Sequence, residues 1–88
     1  MAAAHTIRVL LDDALLTLNR AVGVLRRRNV PVEDLVVGPS GAAGVNQLTF
    51  VLKTDEATAD RVVQQFHKIV GVKEVVMVSA DDQIPEGP

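Results

Sequence analysis

Val32-Glu33-Asp34-Leu35-Val36-Val37-Gly38-Pro39, Ser40-Gly41-Ala42-Ala43-Gly44 and Val45-Asn46-Gln47-Leu48-Thr49-Phe50-Val51-Leu52-Lys53 form the centre of the 88-residue chain and decide how it folds. Both flanks are rich in aliphatic and β-branched residues, and the glycines between them permit the positive φ that a chain reversal needs. The segment reads as a β-hairpin. Upstream, Thr6-Ile7-Arg8-Val9-Leu10-Leu11 puts Ile7, Val9 and Leu11 on one side and Thr6, Arg8 and Leu10 on the other, the period-two pattern of a strand. Asp12 and Asp13 follow, either of them able to cap a helix in which Leu15, Leu18, Val22 and Leu25 recur at spacings of three and four. Arg26, Arg27 and Arg28 suit a helix C-terminus, Asn29 tolerates a left-handed backbone, and Pro31 forbids continuation.

Downstream of the hairpin, Thr54 is expected to cap a second helix with Asp55 and Glu56 in its first turn. Ala59, Val62, Val63, Phe66, Ile69 and Val70 then keep helical spacing up to Gly71. Val72 to Ser79 closes with a β-branched run. The order is strand, helix, strand, strand, helix, strand, the ferredoxin-like βαββαβ pattern of an α+β domain. It predicts a four-stranded antiparallel sheet with both helices on one face. The domain is expected over residues 5–79, with 80–88 an acidic, disordered tail containing two prolines. Leu35 and Val37 oppose Val36, and Val75 and Met77 oppose Val76 and Val78, so neither strand alternates cleanly between apolar and polar. Burial of an edge or of the second face by another chain is expected.

Composition narrows the function. Apolar types make up 48% of the chain and aromatics 2%, so the core is aliphatic around Phe50 and Phe66. A domain of this size, with no cysteine to cross-link it, often gains stability by association. Nine basic against eleven acidic side chains give a net charge of -2, without the single-sign field that drives nucleic-acid or anionic-membrane binding. The absence of cysteine excludes disulfides, thiolate zinc ligation and a thiol nucleophile. The N-terminal Met1-Ala2-Ala3-Ala4 has neither a basic nor a long apolar leader region, so a cytoplasmic location is expected.

The candidate chemistry has simpler readings. Asp12 and Asp13 are adjacent and point apart, which suits capping better than paired-carboxylate catalysis. His5 and His67 have no ligand or base partner at the required spacing. Gly38, Gly41 and Gly44 lead into a strand, whereas phosphate-binding glycine loops lead into a helix N-terminus. RNA binding needs aromatic residues on the central strands, where only Phe50 stands. The first loop carries neither the Cys-x-x-Cys of a metal chaperone nor the Arg-bearing glycine loop of an acylphosphatase-like domain.

The residues themselves resemble the ACT domain of acetolactate synthase (acetohydroxyacid synthase) small, regulatory subunits. His5-Thr6-Ile7-Arg8-Val9-Leu10-Leu11 is similar to that family's first strand. Gly23-Val24-Leu25-Arg26-Arg27-Arg28, followed by Val32-Glu33-Asp34-Leu35-Val36-Val37-Gly38-Pro39, is similar to its G-L-F-x-R-R-G-F-N-I-E-S-L-x-V-G-P. Gln65-Phe66-His67-Lys68-Ile69-Val70-Gly71-Val72-Lys73-Glu74-Val75 resembles its Q-L-x-K-L-x-D-V-x-x-V.

The resemblance implies a non-catalytic subunit without a cofactor of its own. Such a subunit pairs through its sheet, binds the catalytic subunit of acetolactate synthase in branched-chain amino-acid biosynthesis and raises its activity. Thiamine diphosphate, FAD and magnesium would belong to that catalytic partner. It also implies a place for a valine effector, at a turn that reads N-x-P-G-V-L in responsive members. Here Asp13 stands for the Asn, Leu16 for the Gly, and Pro31 for a further Asn before the second strand. Leu16 blocks close backbone approach, and Asp13 replaces a donor amide with an acceptor that repels a ligand carboxylate. Weak or absent valine response is therefore expected.

Val32, Asp34 and Val36 are the expected dimer edge, with Arg26, Arg27 and Arg28 as a contact to the catalytic subunit. The chain ends soon after one ACT domain, as a short-form subunit or a domain cut from a longer one would. Two competing readings are a free-standing amino-acid sensor, in which Asp13 reads a ligand ammonium, and a small enzyme using Ser40 or Thr17 with His67.

Overall fold

The computed structural model describes residues 3–28 and 30–79. Within them the elements run β1 (Ala3–Asp12), α1 (Leu15–Arg28), β2 (Val32–Pro39), β3 (Val45–Thr54), α2 (Glu56–His67) and β4 (Val72–Ser79). The βαββαβ order is the one expected. The strands form one antiparallel sheet in the order β2-β3-β1-β4, so β1 and β3 are central and β2 and β4 are edges. The expected tail, 80–88, lies outside the described residues, as does the Asn29 cap.

Alternation along the central strands sets the two faces. Ile7 lies opposite Phe50 and Met77, and Val9 opposite Leu48 and Val75, all turned towards the helices. Ile7, Val9, Leu11, Leu48, Phe50 and Leu52 are buried there with Ala59, Val62 and Phe66 of α2. Phe50 and Phe66 meet with ring centroids 5.7 Å apart at a 32° tilt. The core is aliphatic around one aromatic pair, as composition requires. The opposite face is open and mixed: Arg8 pairs across with Thr49 and Val76, and Leu10 with Gln47 and Glu74. An exposed Lys53–Glu33 ion pair at 3.5 Å also belongs to it, a contact of little energetic weight in water.

The hairpin is held by Ser40. Its hydroxyl donates to the Val45 carbonyl (2.8 Å) and accepts from the Ala42 N–H (3.1 Å), while Gly41 and Gly44 take φ of 100° and 73°. This use of the hydroxyl replaces its reading as a nucleophile.

Local details differ from expectation. The cap of α2 is Asp55, not Thr54: its carboxylate accepts the Thr58 N–H at 3.0 Å. Hydrogen bonds from the Thr58 side chain and backbone hold the Asp55 carboxyl below its ordinary value. The helix ends at His67 rather than running to Gly71, and Val70 is 80% exposed instead of continuing the buried stripe. On α1 the core-facing residues are Thr17, Ala21, Val24 and Leu25, so the face is rotated from the expected Leu15, Leu18, Val22 and Leu25 line. Leu15 is 69% exposed.

Both edge strands are interrupted. On β2, Glu33 pairs with Val51 and Val36 with Thr49, so Asp34 and Leu35 together face Phe50, and Asp34 has φ of 55°. On β4, Val72 pairs with Leu11 and Glu74 with Leu10, leaving Lys73 as the extra residue.

Candidate functional site

Two places are candidates for a functional site: the turn from β1 into α1, and the cleft between α1 and the β2 edge. The turn is built by Asp12. One carboxylate oxygen accepts the Ala14 N–H at 3.1 Å, and its own N–H donates to the Gly71 carbonyl at 2.9 Å. The α-helix begins one residue after Ala14, whose carbonyl accepts from Leu18 N–H at 3.3 Å. Of the two aspartates, it is thus Asp12 that shapes the helix start, as an Asx-turn ahead of the cap.

Thr17 is buried beneath this turn. Its hydroxyl, first, and the Ala14 N–H, second, hold the Asp12 carboxyl below its ordinary value. A Cβ placed on Gly71 would lie 2.6 Å from both Asp12 Oδ2 and Thr17 Oγ1, and Gly71 has φ of 100°. The turn therefore closes against bare glycine backbone contributed by the α2–β4 connection. This knot of Asp12, Thr17 and Gly71 was not recognised in the sequence. The signal available was the Asp12-x4-Thr17 spacing beside a lone glycine before a strand.

The residues expected to be degenerate effector positions are placed at two ends of the domain. Asp13 is exposed in the turn, and Leu16, in the first turn of α1, is 60% exposed with φ in the ordinary negative range. Pro31 lies past the other end of α1, where its carbonyl accepts from Lys53 N–H at 3.2 Å. The fourteen residues of α1 span roughly 20 Å, so one small ligand cannot touch both ends in a single copy.

At the Pro31 end, an open cavity of about 400 Å³ lies between α1 and β2, lined by Val22, Leu25, Arg26, Val30, Val32 and Leu35. Five of these six residues are apolar. Arg26 supplies a cation at the rim; Arg26 and Arg27 are both exposed, while the side chain of Arg28 lies outside the described residues. Sequence reasoning named Arg26 and Val32 but not the cleft that joins them.

The three expected edge residues do not act as one row. Val32 pairs across from core-facing Leu52, whereas Val36 pairs across from Thr49 on the open face, because the Asp34–Leu35 bulge shifts the alternation between them. Leu35, Val36 and Val37 remain exposed on this edge. A second concavity of about 360 Å³ on the open face gathers Arg8, Lys73 and Glu74 beside the hairpin.

Of the two histidines, His5 is buried on β1 and donates from Nε2 to the Thr54 carbonyl at 3.2 Å, and His67 ends α2 in solvent. Among the described residues no group of three His, Asp or Glu side chains is arranged to hold a metal, and no helix is long and apolar enough to cross a membrane.

No family model matches the chain. It is 31% identical over 80 residues to the acetolactate synthase small subunit of Mycobacterium leprae, covering 91% of this chain and 47% of that protein. The chain thus spans about half the length of this relative. The crystal structure of the acetolactate synthase small subunit from Thermotoga maritima superposes with a TM-score of 0.77 at 23% identity, covering 84% of this chain and 46% of that one. The ACT domain from GTP pyrophosphokinase of Chlorobium tepidum superposes with a TM-score of 0.76 at 15% identity, covering 89% and 100%.

Proposed function

The chain is an ACT-like domain homologous to acetolactate synthase small subunits, and on that premise we propose that it binds and activates a thiamine-diphosphate-dependent catalytic subunit with weak or no response to valine. It is a cytoplasmic, non-catalytic domain that pairs with its own copy along β2. Thiamine diphosphate, FAD and magnesium are needed only by the larger partner.

The observation that carries the loss of valine response is the closed β1–α1 turn. An effector amino acid needs a turn whose backbone donors are free to meet its carboxylate. Here Asp12 already accepts the Ala14 N–H, the Leu16 side chain stands out from the first helical turn, and the exposed Asp13 carboxylate adds a repulsive charge. Pro31 has no N–H to offer from the other end. The pairing along β2 is supported by an edge that exposes Leu35, Val36 and Val37.

Reconstitution tests this reading. Mixing the chain with the catalytic subunit should give a complex that survives gel filtration and forms acetolactate faster than the catalytic subunit alone, equally with and without valine. Failure to bind or to activate removes the proposal, and inhibition by micromolar valine removes its second half.

A further inference from the structure

The concavity on the open face of the sheet collects charge in a fixed order. Arg8 lies in the cross-strand row of Val76, Glu74 lies in the row of Leu10, and Lys73 is the extra residue between that row and the Leu11–Val72 row. The interruption of β4 is what brings Lys73 to this side. Neighbours along an unbroken strand point to opposite faces, yet Lys73 and Glu74 both line this concavity. Along the strand direction the side chains therefore run cation, carboxylate, cation, over roughly 7–10 Å.

Leu10, Val45 and Val76 supply apolar lining to a space of about 360 Å³. The Ser40 hydroxyl on the hairpin side is already committed to the Val45 carbonyl and the Ala42 N–H. Arg8 and Glu74, by contrast, form no side-chain hydrogen bond or ion pair among the described residues, although they occupy diagonal positions on neighbouring strands. Lys73 interacts electrostatically with the Asp12 carboxylate but forms no ion pair with it. The three charged ends are thus free to meet a ligand.

We propose that this concavity binds an acidic α-amino acid, its two carboxylates meeting Arg8 and Lys73 and its ammonium group meeting Glu74. Such a ligand carries anion, cation, anion in sequence, the complement of what the strands present. The guanidinium fork of Arg8 suits the planar α-carboxylate. A plain dicarboxylate sets two anionic groups against Glu74 with nothing to pair it, and valine leaves Lys73 unmatched. The site lies on the face of the sheet away from the α1–β2 cavity and uses residues of one copy alone, so it is independent of the pairing and of the catalytic partner.

Calorimetric titration of the full chain with L-aspartate and with L-glutamate at low ionic strength tests this. Saturable binding of one of them is expected, with a dissociation constant of about 1 mM or below. The matching plain dicarboxylate, succinate or glutarate, should bind about tenfold more weakly, and Arg8→Gln should weaken the amino acid by a similar factor. Glu74→Gln should abolish the preference for the amino acid over the plain dicarboxylate. Asp13→Asn should leave binding unchanged, which separates this site from a sensor that reads the ammonium group at the β1–α1 turn. Arg8 and Glu74 are exposed and outside the core, and circular dichroism checks that each variant is folded. No saturable heat with either acidic amino acid overturns the proposal. So does binding that survives Arg8→Gln unchanged, that the plain dicarboxylate equals in the wild type, or that is lost in Asp13→Asn.

Discussion

Replacing Gly71 by alanine tests whether the β1–α1 turn is locked by the α2–β4 connection. The new Cβ would meet Asp12 Oδ2 and Thr17 Oγ1 at 2.6 Å and Thr17 Cγ2 at 3.0 Å, on a backbone whose φ is 100°. Holding an L-residue in that conformation costs about 1–3 kcal/mol, and forcing apart a packed contact adds about 1–3 kcal/mol. Partial relaxation leaves a net loss of about 2–4 kcal/mol, against a total stability of about 4–13 kcal/mol for a domain of this length. The melting temperature should fall by roughly 10–25 °C.

Thr17→Ala separates the two contributions, because it removes two of the three colliding atoms and leaves φ untouched. Urea unfolding of both single variants and the double variant, followed by far-ultraviolet circular dichroism at one protein concentration, should show a coupling of about 1 kcal/mol. A loss below about 1 kcal/mol in Gly71→Ala, or additivity within about 0.5 kcal/mol, would refute the locked turn.

Three further outcomes follow from other parts of the molecule. Calorimetric titration of the isolated chain with valine should give no saturable heat at micromolar concentration, and a thermal-shift screen showing a specific amino acid would favour the sensor reading instead. Asp12 and Asp55 have carboxyls held below the ordinary value of 3.8 in the folded state, so their stabilisation is present above that value and is lost as pH falls through the lowered ones; acid titrations of Asp12→Asn and Asp55→Asn should show a shallower fall below pH 4 than wild type. Asp34→Val puts a β-branched residue at φ of 55° and should cost about 1–2 kcal/mol in urea unfolding, while Asp34→Asn should be nearly neutral.

Period-two alternation in β1 and the stripe Ala59, Val62, Val63, Phe66 were legible because both faces of those elements see contrasting surroundings, core and solvent. The face of α1 was harder to read. Its core contact is made by small or polar residues, Thr17 and Ala21, whereas leucines at 15 and 16 are turned outward, so hydrophobicity alone selects the wrong stripe. The bulge at Asp34 was likewise invisible as a pattern, since Val32 and Val36 keep even spacing while the backbone between them gains a residue over β3. The Asp12–Thr17–Gly71 knot joins residues five, 54 and 59 positions apart in ways that no single-element period encodes. What sequence carried well was the order of elements; what it could not carry was the meeting of the β1–α1 turn with a distant glycine.

The two interruptions of the sheet have a consequence for assembly. The inner strands β1 and β3 pair residue for residue from Ala3–Thr54 to Asp12–Val45, but each outer strand is broken at a charged residue, Asp34 on β2 and Lys73 on β4. Past its bulge β2 keeps only Val36 to Pro39 in regular register, and Pro39 has no N–H to give a neighbour. An added strand finds a short template on either side. Strand-by-strand growth into fibres is thus disfavoured although the domain is aliphatic.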